Sequence, residues 1–296
     1  MASKTTMLLW CFVVVLLGIS APLWADDVSL KPFVLAYSVE GTIDAKLGEV
    51  KAAVEREGFQ IVGEYAPYKG AHIVVVTSTE LKGNAAKSKF GAYGAILRIS
   101  LTEKGKGLQV AYSNPLYLAQ AYRMKDSLAD TAAKLDKALG KKETFGSKKG
   151  LKADKLRTYH YMMLMPYFTD QVELAKHKSY EEAIQAVENN LTAGKGGTLK
   201  VYRVDLPGKK ETVFGVGIKD GEGADAAVMK TVDIGELRQT AHLPYELIVS
   251  DGTVYMLHGK FRIAVDFPDL TMGTFMKISG APSAIENALK QVAGGK

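Results

Sequence analysis

Apolar and polar positions recur along this chain in two series that follow one plan. In the first, "FVLAYSV" (33–39) is β-branched and aromatic, the composition of a strand. "TIDAKLGEVKAAVEREG" then places Ile43, Leu47, Val50 and Val54 on one helical stripe and stops at Gly58. "FQIVGEYAPYKG" reads as a strand and turn, "AHIVVVTST" as a buried strand, and Leu81–Lys89 as a short helix. "GAILRISL" and "GLQVAYS" form a hairpin around Gly105-Lys106-Gly107. "SLADTAAKLDKALG" closes the series as a helix with Ser127 as its cap and Gly140 as its stop.

The second series repeats the order. "YHYMMLMPYF" (159–168) reads as its first strand, and Ser179 and Glu182 make a capping box ahead of a helix with Ile184, Val187 and Leu191 on its stripe. "LKVYRVDLPGKK" and "TVFGVGI" read as strands, and "GADAAVMKTV" as the short helix. "YELIVSDGTVYMLHGKFRIAVDF" reads as a hairpin turning at Asp251-Gly252, and "PSAIENALKQVAGG" as the closing helix. The long final strand alternates: Tyr255, Leu257, Phe261, Ile263, Val265 and Phe267 point one way, and His258, Lys260, Arg262 and Asp266 the other.

Two runs of strand, helix, two strands, helix, hairpin and helix define an α+β chain. It divides into a first domain over 26–140, a basic linker over 141–157 and a second domain over 158–296. Each domain is expected to be an antiparallel sheet in the order βαββαββα, with helices on one face and the other face open to solvent or a partner. The ends of the hairpins match, with Asn114-Pro115 in the first and Phe267-Pro268 in the second. Pro115 ends its ladder for want of an N–H, and Tyr112, Tyr117 and Tyr122 are expected to pack over the junction with their hydroxyls in water.

"LQVAYSNPLYLAQAYRM" and "HLPYELIVSDGTVYMLHGKFRIAVDFPDL" resemble the hairpin segments of the bacterial domain-of-unknown-function family 302. The resemblance implies two degenerate copies of an α+β fold that tends to dimerise. It implies no reaction and brings no catalytic residue.

The N-terminus is set apart from the fold. Lys4, an apolar run from Met7, then Ala25 ahead of Asp26-Asp27 read as a signal peptide over 1–25, giving a protein exported to the periplasm; the rival reading is an uncleaved anchor. The one cysteine, Cys11, lies inside that run, so the mature chain would have no disulfide, thiol nucleophile or thiolate metal site. No cofactor is expected.

The charge of +6 is concentrated. Residues 141–157 carry Lys141, Lys142, Lys148, Lys149, Lys152, Lys155 and Arg157 against Glu143 and Asp154, a surplus of +5. With its glycines this reads as a solvated linker, or as a contact for an anionic membrane surface or acidic partner. Export argues against nucleic acid.

The candidate chemistry is sparse. His258, Lys260 and Arg262 on one strand face read either as the solvated outer side of a half-buried strand or as an anion-binding patch, with His242 nearby. This favours a non-enzymatic binding module for an anionic small molecule or protein partner. His242 and His258 also offer an acid–base pair, the alternative of a periplasmic enzyme. A third reading takes His160, Met162, Met163 and Met165 as soft metal ligands, against methionines as adaptable core filler. The Gly-rich "DGEGADAAV" fits neither the dinucleotide fingerprint nor the P-loop and reads as a turn and cap.

Overall fold

The computed structural model describes residues 29–295; the segment 1–25, read above as a signal peptide, lies outside them. The first half runs β1 (Phe33–Glu40), α1 (Ile43–Arg56), β2 (Gln60–Tyr65), β3 (Ala71–Thr77), α2 (Thr79–Ala86), β4 (Leu97–Lys104), β5 (Gly107–Ser113), α3 (Pro115–Ala121) and α4 (Ala129–Leu139). β6 (Glu143–Phe145) and α5 (Ala153–Arg157) connect it to the second half. That half runs β7 (Val172–Lys176), α6 (Tyr180–Thr192), β8 (Thr198–Asp205), β9 (Glu211–Ile218), α7 (Asp225–Val232), β10 (Tyr245–Ser250), β11 (Thr253–Met256), α8 (Gly259–Asp266), α9 (Met272–Met276) and α10 (Ala281–Ala293).

Local chemistry sets these limits. Ser179 accepts the Glu182 N–H at 3.1 Å to open α6, and Gly140 and Gly294 follow α4 and α10 with positive φ. Ser127 does not cap α4: Leu128 stands at that position with φ 59° and makes no side-chain cap bond.

The strands are antiparallel throughout and trace one path twice. The first sheet has the order β2-β3-β4-β5-β1, with β6 added outside β1, and the second has β8-β9-β10-β11-β7. Registers match as well. Arg98, the second residue of β4, lies opposite Val75, and Glu246, the second residue of β10, lies opposite Gly215. α1 and α4 cover one face of the first sheet, and α6 and α10 cover one face of the second. The opposite faces meet each other, and the short 3-10 turns exchange. Gly91–Gly94 of the first half packs on β9 and β10, while Thr240–His242 of the second packs on β3, β4 and β5. One apolar core therefore runs through both halves, from Val50 and Val54 of α1 to Leu289 and Val292 of α10. At the closest approach, a Cβ on Gly63 of β2 would stand 2.3 Å from the Val201 carbonyl oxygen of β8, so only glycine fits.

Beyond the Ser127 cap and the expected open sheet faces, four further expectations change. The second half's first strand is β7; residues 159–168 form turns ahead of it. The final strand stops at Met256, and 259–266 is the helix α8, so His258, Lys260 and Arg262 do not share a sheet face. The counterpart of Asn114-Pro115 is then His258-Gly259. Asn114 caps α3 by accepting from Leu116 N at 3.1 Å, and His258 caps α8 by accepting from Lys260 N at 3.2 Å. The stretch 141–157 is not simply a solvated linker: β6 pairs with β1, Leu151 bridges to Leu30, and Leu156 is buried.

Candidate functional site

The candidate residues His242 and Arg262 do come together, but inside the protein. β4 turns Arg98 towards the second half and β10 turns Glu246 towards the first, where they form an ion pair. α8 places Arg262 and Asp266 one helical turn apart, also paired. Arg262 donates from Nε to Glu246 Oε2 at 3.0 Å and from Nη2 to the His242 carbonyl. His242 Nδ1 lies 2.9 Å from Asp266 Oδ2, and its Nε2 lies 3.3 Å from the Tyr245 hydroxyl. Arg262 Nη1 also lies 2.9 Å from Nδ1, so that nitrogen stands between a carboxylate that only accepts and a guanidinium that only donates.

The electrostatics close on themselves. Two arginines face Glu246 and Asp266, and burial, with the Arg262 charge beside it, pushes His242 down to about 4, so it is neutral. Burial works against the Asp266 carboxylate, yet Arg262 and His242 hold its pKa below the ordinary range. The whole group is buried. A general acid or base must reach the substrate's proton, and none of these side chains reaches solvent. The cluster fastens the halves together; it is not an anion patch or an acid–base pair open to a substrate. His258 and Lys260 stand apart from it, half-buried at the start of α8.

The tyrosines of 112–122 are likewise interior. Tyr112 donates to Asp136 at 2.6 Å, and Tyr117 donates across the halves to the Val265 carbonyl at 2.6 Å, so neither hydroxyl is left to water. A further bond across the halves runs from the Tyr65 hydroxyl to Asp225 Oδ2 at 2.6 Å.

Two of the open clefts among the described residues have room for a small molecule. One, of about 550 Å³, lies between the halves and is lined by Tyr68, Thr102 and Glu103 from the first and by Met229, Asp233 and Arg238 from the second. Burial pushes the Asp233 carboxyl up to about 6 and the Tyr68 hydroxyl up to about 12. Its polar groups are mostly spent on each other. Thr102 bonds Thr240 at 2.8 Å, Arg238 donates to the Asp233 carbonyl, and Gln109 holds the Arg238 backbone from both sides at 2.7 and 2.8 Å.

The second cleft, of about 600 Å³, is built from the basic stretch and the turns of 158–161. Pairing of β6 with β1 and the bridge from Leu151 to Leu30 hold the loop between them. Asp269 clamps that loop by accepting from Lys148 N at 2.5 Å and from the Ser147 hydroxyl at 3.2 Å. Gly150 completes the turn at φ 70°, where a Cβ would lie 2.8 Å from the Leu30 carbonyl oxygen. α5 buries Leu156 and leaves Lys155 outside. Lys148, Lys149 and Lys155 thus line one cleft with Thr158, His160 and Tyr161. Among the described residues Lys148 and Lys149 have no carboxylate in ion-pair range, and Lys155 meets only Asp154, at 3.9 Å. The Tyr159 and Tyr161 hydroxyls donate to the Ala264 and Leu270 carbonyls, which fixes that wall. His160 Nδ1 is 2.7 Å from the Met162 carbonyl and must donate to it, leaving Nε2 free.

Met162 and Met163 are exposed, which overturns their reading as core filler; Met165 is half-buried against the core. Among the described residues no group of three or more His, Cys, Asp or Glu side chains is placed to hold a metal ion. The basic cleft had a signal in the sequence: Phe145, Leu151 and Leu156 punctuate the lysines at intervals a fully solvated linker does not need.

No known protein family, curated protein or solved structure matches this chain.

Proposed function

We propose that the protein is an exported, non-enzymatic binding module made of two degenerate α+β copies, and that it takes a small anionic molecule in the basic cleft. The observation that carries this is the convergence of Lys148, Lys149 and Lys155, with His160 and Tyr161, on one cleft whose single carboxylate, Asp269, is engaged by the Lys148 N–H and the Ser147 hydroxyl. Lysine is a point charge that suits phosphate, sulfate or carboxylate groups. A cleft of about 600 Å³ is the size of an ordinary small-molecule site. The shared strand order of the halves supports the two-copy reading, as does the resemblance of the 108–124 and 242–270 segments to domain-of-unknown-function family 302.

Pyrophosphate is the probe for calorimetric titration at two salt concentrations. Lys148→Gln/Lys149→Gln is expected to weaken binding by about tenfold or more, and salt to weaken the wild type more than the variant. Pyrophosphate affinity that is equal in both proteins places the anion elsewhere. Export is tested by the intact mass of the fractionated protein, expected to begin near Asp26; a product retaining Cys11 counts against it.

A further inference from the structure

Eight large apolar side chains stand exposed among the described residues, and Met162, Met163, Leu164 and Tyr167 fall within one six-residue stretch. Met163 is 81% and Leu164 95% exposed. The stretch is braced rather than frayed. Met165 N donates back to the Met162 carbonyl at 3.0 Å, and Leu164 holds φ 69° at the turn. Such a rigid apolar tip needs something to cover it.

The tip's position says what. It begins immediately after His160 and Tyr161, which line the basic cleft beside Lys148, Lys149 and Lys155. Apolar side chains next to a lysine cluster in which Lys148 and Lys149 have no carboxylate in ion-pair range among the described residues match the layering of an anionic bilayer. The acyl boundary takes the methionine and leucine, the headgroup phosphates take the lysines, and tyrosines sit at the interface between them. A free anion would account for the lysines alone. No helix among the described residues is long and apolar enough to cross a membrane, so this contact is one of lying on the surface. We propose that the 162–164 tip and the basic cleft dock the protein on an anionic lipid surface, the cleft receiving a lipid headgroup. This rests on the anion reading of that cleft and names the source of the anion.

The test is co-sedimentation of the exported protein, expected to begin near Asp26, with vesicles of phosphatidylcholine alone or mixed with phosphatidylglycerol. Wild type and variants alike then lack the apolar run of residues 7–24, which would bind vesicles by itself, so partitioning reports on the tip and the cleft. Wild type is expected to partition onto the mixed vesicles and far less onto the neutral ones. Met163→Ser/Leu164→Ser is expected to lower partitioning by about tenfold while leaving pyrophosphate affinity unchanged. Lys148→Gln/Lys149→Gln is expected to lower both, the partitioning by about thirtyfold for two surface lysines. No partitioning, equal partitioning onto neutral vesicles, or partitioning indifferent to the tip overturns the proposal. Tip-dependent binding to mixed vesicles in a protein that ignores pyrophosphate would refute the small-anion reading and leave this one standing.

Discussion

Asp225 offers the sharpest test of the physics that joins the halves. Its carboxyl is fully buried at the start of α7, with Oδ2 receiving the Tyr65 hydroxyl at 2.6 Å and the Ile218 N–H at 3.0 Å. Oδ1 has no partner. Burial pushes this carboxyl from 3.8 up to about 7, against the two donated bonds. Below about pH 4 the group is protonated whether the chain is folded or not. Between pH 4 and 7 only the folded form keeps the proton, so stability falls as pH rises, and the loss is complete above 7. A shift of about three units at 1.36 kcal/mol each makes that loss about 4 kcal/mol. Asp225→Asn keeps an acceptor for Tyr65 and Ile218 but puts an unpartnered amide where Oδ1 lies, at a cost of about 1–3 kcal/mol at every pH. The variant is therefore expected to be less stable than wild type at pH 4 and more stable, by about 2 kcal/mol, at pH 8. The assay is urea unfolding followed by far-ultraviolet circular dichroism at pH 4, 6 and 8. The difference between the two proteins is the quantity to read, because His242 opposes the trend in both. With its folded value near 4 against 6.5 unfolded, His242 contributes stability that rises with pH over that window. A wild-type-to-variant difference that stays constant with pH would refute the reasoning.

Two other substitutions probe the packing. Arg262→Met strips Glu246 and Asp266 of a buried counter-charge and is expected to cost about 3–5 kcal/mol in urea unfolding; a cost below about 1 kcal/mol would show the cluster to be solvated. Gly63→Ala forces a Cβ onto the Val201 carbonyl and is expected to cost about 1–3 kcal/mol, whereas Gly48→Ala, in α1 with open space around it, should add about 0.5–1 kcal/mol; equal effects would deny the close approach of β2 and β8.

The order of elements was legible because most of them keep one wet and one dry side. α1, α6 and α10 each carry an apolar stripe that marks the helical period, and the turns at Gly105 and Asp251 mark the hairpins. α8 was misread because it has no such contrast. Gly259 and every residue from Phe261 to Asp266 are buried, so the apolar residues at alternate positions fit a strand as well as a helix. Its charges suggested an outer face, but their partners outside the helix, Glu246 for Arg262 and His242 for Asp266, lie in the interior. Arg262 and Asp266, four apart and opposite in sign, were the helical signal available. The tyrosines failed for a related reason: α4 takes the Tyr112 hydroxyl, and the Val265 carbonyl of α8, distant in sequence, takes that of Tyr117. The basic cleft was hidden by charge density, which marks a surface without saying that the surface folds into a concave shape.

Arg98 and Glu246 occupy equivalent places in the two halves and meet each other. If a single copy paired with its own twin, that position would face itself, and arginine would meet arginine or glutamate would meet glutamate in a dry interior. Opposite signs at one equivalent site can be satisfied only when unlike copies associate. The pair therefore acts as a lock on parentage: it rewards the union of a first half with a second half and penalises two first halves or two second halves.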